Sequence, residues 1–167
     1  MLDLQNPCYT APPGTCSSRS FELEAQSVAS SLLHCKNLRF LDLSGNNFHA
    51  TPIPAFFGSF KKLRYLSLKN ANFSGKIPHN LGNITCLQHL DLRSNVLHAD
   101  DVNWLSQLSS LEHLDMSDIY LGKAFNLFQV LVQLLYITHN ELETPILEAF
   151  HNMTSIRELD LSYNNLV

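Results

Sequence analysis

Apolar residues recur along this chain in one phrase. Leucine or a related side chain holds the first, fourth and sixth positions, asparagine or a substitute the ninth, and another apolar residue the eleventh. Clear copies are Leu38-Leu41-Leu43-Asn46-Phe48, Leu87-Leu90-Leu92-Asn95-Leu97 and Ile156-Leu159-Leu161-Asn164-Leu166. Weaker copies start at Leu63, Leu111 and Val132, and successive starts are separated by 25, 24, 24, 21 and 24 residues. Alternation at the fourth to sixth positions predicts a short strand with leucines on one side and polar residues on the other. A strand this short cannot bury its apolar side alone, so the repetition predicts a stack in which successive strands pair in parallel and each unit touches only its neighbours. The ninth-position residues Asn46, Asn95, Asn140 and Asn164 are expected to turn inward and bond the backbone of adjacent turns, because buried amides persist when their bonds are met. Ala71 and Ile119 interrupt that ladder. There, either water satisfies the neighbouring backbone or the turn leaving the strand is rearranged.

A period within ~20–29 residues and this leucine grammar together define a leucine-rich repeat solenoid. The expected architecture is an α/β solenoid, with a parallel sheet on the concave face and irregular, 3-10 or helical segments on the convex side. Residues 1–20 read as an irregular N-terminal segment, although Leu2-Asp3-Leu4-Gln5-Asn6-Pro7 has the form of the end of an earlier strand. Residues 21–37 read as a degenerate lead-in repeat, and 38–167 as six repeats, the last incomplete. The unit at Leu111 is about three residues short, which predicts a local irregularity or a poorly ordered junction over 123–131.

The convex half of the units narrows the type. Ser74-Gly75-Lys76-Ile77-Pro78-His79-Asn80-Leu81-Gly82-Asn83-Ile84 resembles the plant-specific repeat ending S-G-x-I-P-x-x-L-G-N-L, and Thr51-Pro52-Ile53-Pro54 is a variant of it. Proline after a β-branched residue fixes an extended backbone and removes a donor, which suits a second short edge strand followed by a tight turn. Leu41-Asp42-Leu43-Ser44-Gly45-Asn46-Asn47-Phe48 and Asn103-Trp104-Leu105-Ser106-Gln107-Leu108 extend the resemblance, over residues 21–167, to plant receptor-like proteins of the ethylene-inducing-xylanase receptor type. That resemblance implies an extracellular recognition domain at the plasma membrane. It would sense a peptide, protein or glycan ligand in defence or development and signal through a co-receptor kinase. The chain carries no signal-peptide pattern and no apolar run of membrane-spanning length, and it halts inside a repeat, so it reads as an N-terminal piece of such an ectodomain. The alternatives are a soluble secreted inhibitor resembling polygalacturonase-inhibiting proteins, or a nonfunctional truncated remnant.

Charge and chemistry refine this picture modestly. A net charge of -4 and a pI near 6.0 argue against a nucleic-acid binder. N-x-S/T sequons at Asn72, Asn83 and Asn152 mark glycosylation acceptors in a secreted protein. Cys8 and Cys16 flank a turn-rich stretch at a separation that permits a disulfide without requiring one; Cys35 reads as a buried apolar stand-in and Cys86 as more exposed. No nucleophile motif, catalytic dyad or cofactor is indicated, and the Asp42, Asp91, Asp115 and Asp160 column reads as scaffold. His89 and His113 fall in strand register, but with no cysteine nearby and only the Asp91 and Asp115 column beside them to complete it, no metal site is expected. Trp104 reads as convex packing. Binding is the stronger expectation. Two concave columns are predicted to be exposed: Phe40, Tyr65, His89, His113, Leu134, Glu158, and Asp42, Ser67, Asp91, Asp115, Tyr136, Asp160. Phe40, Tyr65, Lys69, His89, Arg93 and His113 form the predicted ligand-contact set, with Lys69 and Arg93 suited to clamp a carboxylate or sulfated group.

Overall fold

The computed structural model describes residues 1–6, 32, 34–121, 133–140, 142 and 156–165. Its main element is a parallel sheet of seven described strands in chain order: β1 (Leu2–Asp3), β2 (Phe40–Asp42), β3 (Tyr65–Ser67), β5 (His89–Asp91), β7 (His113–Asp115), β8 (Leu134–Tyr136) and β9 (Glu158–Asp160). A second sheet pairs β4 (Ser74–Lys76) with β6 (Val96–His98). Three 3-10 helices among the described residues, η1 (Ala55–Ser59), η2 (His79–Asn83) and η3 (Asn103–Gln107), line the convex side. This is the expected solenoid, and β1 is the strand end suggested by Leu2-Asp3-Leu4.

The central leucine of each strand explains the stacking. Leu41, Leu66, Leu90, Leu114 and Leu135 stand opposite one another in register and are all fully buried. Behind them, Phe57, Leu81 and Leu105 from the 3-10 helices close the other wall of one continuous core. Pro54 and Pro78 take extended backbone angles immediately before η1 and η2, so the I-P ending hands the chain from an edge segment into a tight turn. Glycine is required where those turns touch. A Cβ on Gly58 would stand 2.2 Å from the Asn80 carbonyl oxygen, and one on Gly82 2.7 Å from that of Trp104. Trp104 is buried on the convex side, where it fills the core.

The asparagines at the ninth position do more than donate. Asn95 gives its amide hydrogens to the Leu68 and Leu92 carbonyls at 2.8 Å, while its Oδ1 accepts from Ala71 N at 3.2 Å and Phe73 N at 2.9 Å. Asn164 repeats this, donating to Ile137 and Leu161 and accepting from Asn140 and Leu142. Asn46 donates to Leu4 and Leu43. At both interrupted positions the next repeat's asparagine still serves the backbone, Asn95 accepting from Ala71 N at 3.2 Å and Asn140 donating to the Ile119 carbonyl at 2.8 Å. The short unit alters the pattern at Asn140, whose amide serves Met116 and Ile119 while its Oδ1 has no partner among the described residues. The predicted irregularity over 123–131 lies outside the described residues. The strands on either side still pair in register, His113 with Leu134 and Asp115 with Tyr136.

Candidate recognition face

Parallel register brings one residue per repeat to each row of the concave face, and in the first row four of them are rings. Phe40 stacks on Tyr65 with centroids 4.3 Å apart, Tyr65 on His89 at 4.3 Å and His89 on His113 at 4.1 Å, with planes within 7–11° of parallel. The separation is close to the ~4.8 Å between neighbouring strands, so the backbone spacing itself sets the stack. Leu134 takes the next place in the row, and the ring contact shifts sideways to Tyr136 at 5.4 Å and 43°. All four stacked residues are half-buried. Their faces cover one another and their edges face the groove. The two imidazoles lie face to face, so their in-plane lone pairs run parallel and do not converge on one metal position. No group of three metal-ligating side chains occurs among the described residues.

The second row departs from expectation. Asp42, Ser67, Asp91 and Asp115 are buried rather than exposed, Asp91 at 5% and Asp115 at 3% exposure. Each aspartate folds back on its own turn: Asp42, Asp91, Asp115 and Asp160 accept the backbone N–H two residues on, from Ser44, Arg93, Ser117 and Ser162. The column is thus a series of Asx turns that ends each strand, held between the side chains of adjacent repeats.

Arg93 ties two of these carboxylates. Its Nη1 lies 3.0 Å from Asp115 Oδ2, and its Nε 3.3 Å from Asp91 Oδ2, the latter outside hydrogen-bonding geometry. Burial pushes the Asp91 carboxyl up to about 6 despite the opposing pull of Arg93, with Asp115 reinforcing the rise. Burial also pushes His89 down to about 4, helped by His113 and Arg93, and His113 is lowered for the same first reason. At neutral pH the ring row is consequently uncharged. Lys69, the other predicted clamp, is half-buried, and its ammonium forms no hydrogen bond or ion pair among the described residues. The structure thus brings all six predicted contact residues onto one face.

Other expected sites fall elsewhere. Asn72 and Asn83 are exposed away from the concave face, Asn72 with a positive φ of 53° and its amide donated to Asn47 Oδ1 at 2.7 Å. Asn152, Cys8 and Cys16 lie outside the described residues. Cys86 is an exposed free thiol, and Cys35 is half-buried against the core, less enclosed than a full apolar stand-in. One row went unread in the sequence: Gly45, Asn70, Ser94, Asp118, His139 and Tyr163, immediately before the ninth position, all have positive φ between 47° and 71°. Glycine and Asn favour that conformation, and the signal was present at Gly45 and Asn70, but Ser94, His139 and Tyr163 disguise it.

The fold defines a leucine-rich repeat module. The family described as "Leucine-rich repeat region" matches residues 17–166, and the chain belongs to it. Among characterised relatives, the chain is 43% identical over 117 residues to Receptor-like protein EIX1 of Solanum lycopersicum, covering 70% of this chain and 11% of that one. It is 30% identical over 142 residues to Receptor-like protein 41 of Arabidopsis thaliana, covering 81% and 16%. The chain thus spans only a small part of the length of these plant receptor-like proteins. Among solved structures it resembles the PEPR1–AtPEP1 complex at a TM-score of 0.67 and 30% identity, covering 75% of this chain and 18% of that one. It also resembles the Arabidopsis receptor kinase HAESA with the peptide hormone IDA and the co-receptor SERK1, at a TM-score of 0.65 and 29% identity, covering 78% and 22%. No described helix is long and apolar enough to cross a membrane.

Proposed function

We propose that the chain is a ligand-binding module of a plant receptor-like protein, displayed outside the cell and acting in defence or developmental signalling through a co-receptor kinase. The observation that carries this reading is the uncharged row Phe40, Tyr65, His89, His113 on the concave face, flanked by Lys69 and Arg93. The stacking favours a peptide or protein over a glycan. Sugars pack on the faces of aromatic rings, and here the ring faces are spent on one another, leaving edges, a phenolic hydroxyl and imidazole nitrogens to meet a ligand. Extended polypeptide presents amides at short intervals that such a row of donors and acceptors can match. The peptide complexes formed by PEPR1 and HAESA support the same class of partner.

The test is ligand capture. The tagged chain and a Tyr65→Ala/His113→Ala variant are secreted from plant cells and exposed to extracellular fluid from elicited tissue. A peptide or protein retained by the parent and lost by the variant is the expected result. Equal retention by a correctly folded variant overturns the concave assignment, and retention only of polysaccharide overturns the ligand class.

A further inference from the structure

Alongside the ring row, at and past the C-terminal ends of the strands, the concave face holds an open polar groove of about 350 Å³, which includes Lys69, Arg93, Asp118, Tyr136, His139 and Asp160 among its lining. Its charges run in order along the solenoid axis. Lys69 follows β3, Arg93 follows β5, Asp115 ends β7 with Asp118 just after it, and Asp160 ends β9, so two cations precede three carboxylates, of which Asp115 is paired with Arg93. The parallel register fixes that order.

What each charge already does decides what remains for a ligand. Arg93 is neutralised by Asp91 and Asp115 and contributes donor geometry rather than net charge. Lys69 is the cation left without an ion pair among the groove's described residues. At the other end, Asp118 accepts the Ser94 hydroxyl at 2.9 Å, and its second oxygen stands 3.6 Å from His139 Nδ1. Asp160 spends only Oδ1, on the backbone N–H and hydroxyl of Ser162, and keeps its carboxyl below the usual carboxylate range through those bonds. An ammonium is available at one end and carboxylate oxygens at the other.

We propose that this groove is a charge-ordered subsite for a dipolar stretch of peptide, holding an acidic group against Lys69 and Arg93 and a basic group against Asp118 and Asp160. The proposal rests on the recognition reading above and adds the ligand's charge pattern. From β3 to β7 is two strand steps and from β5 to β9 is three, or roughly 10–14 Å at ~4.8 Å per step. An extended chain advances ~3.3–3.6 Å per residue, so the two ligand charges fall about three or four residues apart.

The experiment is calorimetric titration of the chain with short synthetic peptides carrying Glu and Lys at that separation in either order, against Glu/Glu, Lys/Lys and Gln/Gln counterparts. One Glu–Lys order is expected to bind about fivefold more tightly than its same-charge counterparts at low salt, with the advantage shrinking as salt is added. The double swap Lys69→Glu/Asp118→Lys is expected to transfer the preference to the reversed peptide, with the circular dichroism of the chain unchanged. Equal binding by all peptides, or a preference that survives the folded double variant, overturns the subsite. If the Tyr65→Ala/His113→Ala variant still loses captured ligand in that case, the recognition face stands and only its charge order falls.

Discussion

At the scale of the residue, asparagine and histidine carry the informative energetics. Asn95 satisfies two buried carbonyls and two buried N–H groups at once, whereas Asn140 serves two carbonyls with its own oxygen unpaired among the described residues. Orphaning each buried polar group costs roughly 1–3 kcal/mol, so Asn95→Ala should lose on the order of 3 kcal/mol or more, and Asn140→Ala clearly less. Denaturant unfolding of the two variants measures the difference; equal losses would mean the ladder is uniform. The concave face also makes a pH prediction. The Asp91 carboxyl rises from an ordinary 3.8 to about 6 on folding, so its stabilising contribution is full below the unfolded value and lost as pH climbs through 6. His89 falls from 6.5 to about 4, so its contribution is present above 6.5 and lost as pH drops toward 4. The two oppose each other across the same window. Relative to the parent, Asp91→Asn should be destabilised progressively by acidification from pH 6.5 to 4.5. The His89→Phe/His113→Phe pair, which keeps the ring stack, should gain over the same range.

At the scale of the element, the repeat is held as tightly on its convex side as on its sheet. The 3-10 turns approach so closely that Gly58 and Gly82 face the carbonyls of Asn80 and Trp104 with no room for a methyl group. Gly82→Ala should therefore force η2 and η3 apart and cost about 1–3 kcal/mol, read as a drop in thermal midpoint. Gly75, which has positive φ but open space around it, should respond through backbone strain alone and more mildly. The S-G-x-I-P-x-x-L-G-N phrase made η2 legible in advance: Pro78 sets its entry, Leu81 its buried contact and Gly82 its close packing. The burial of Asp91 and Asp115 was not legible. Strict alternation assigns an aspartate between two leucines to the solvent side, and only the adjacent strands and the Asx turns that draw it back enclose it.

At the scale of the molecule, the described sequons at Asn72 and Asn83 and the ring row occupy different faces. Asn83 ends η2 on the convex side, exposed, with its carbonyl taken by Lys61 at 3.0 Å. Expressed through the secretory pathway, the chain should carry a glycan at Asn83 that mass spectrometry finds and Asn83→Gln removes, without loss of ligand capture; loss of capture would place recognition on the convex side. The sequence by itself determined the repeat, its parallel strands, the asparagine ladder and the set of rings that share a row, because each follows from a local phrase repeated at a near-constant interval. Tertiary structure alone decided three things. It showed that the rings stack face to face and offer edges, because the strand spacing brings successive rings to stacking distance. It showed that the aspartates sink into the sheet, because burial depends on neighbours in adjacent repeats. It also ordered Lys69, Arg93, Asp118 and Asp160 along one groove, because residues some 24 positions apart become adjacent only when the solenoid stacks.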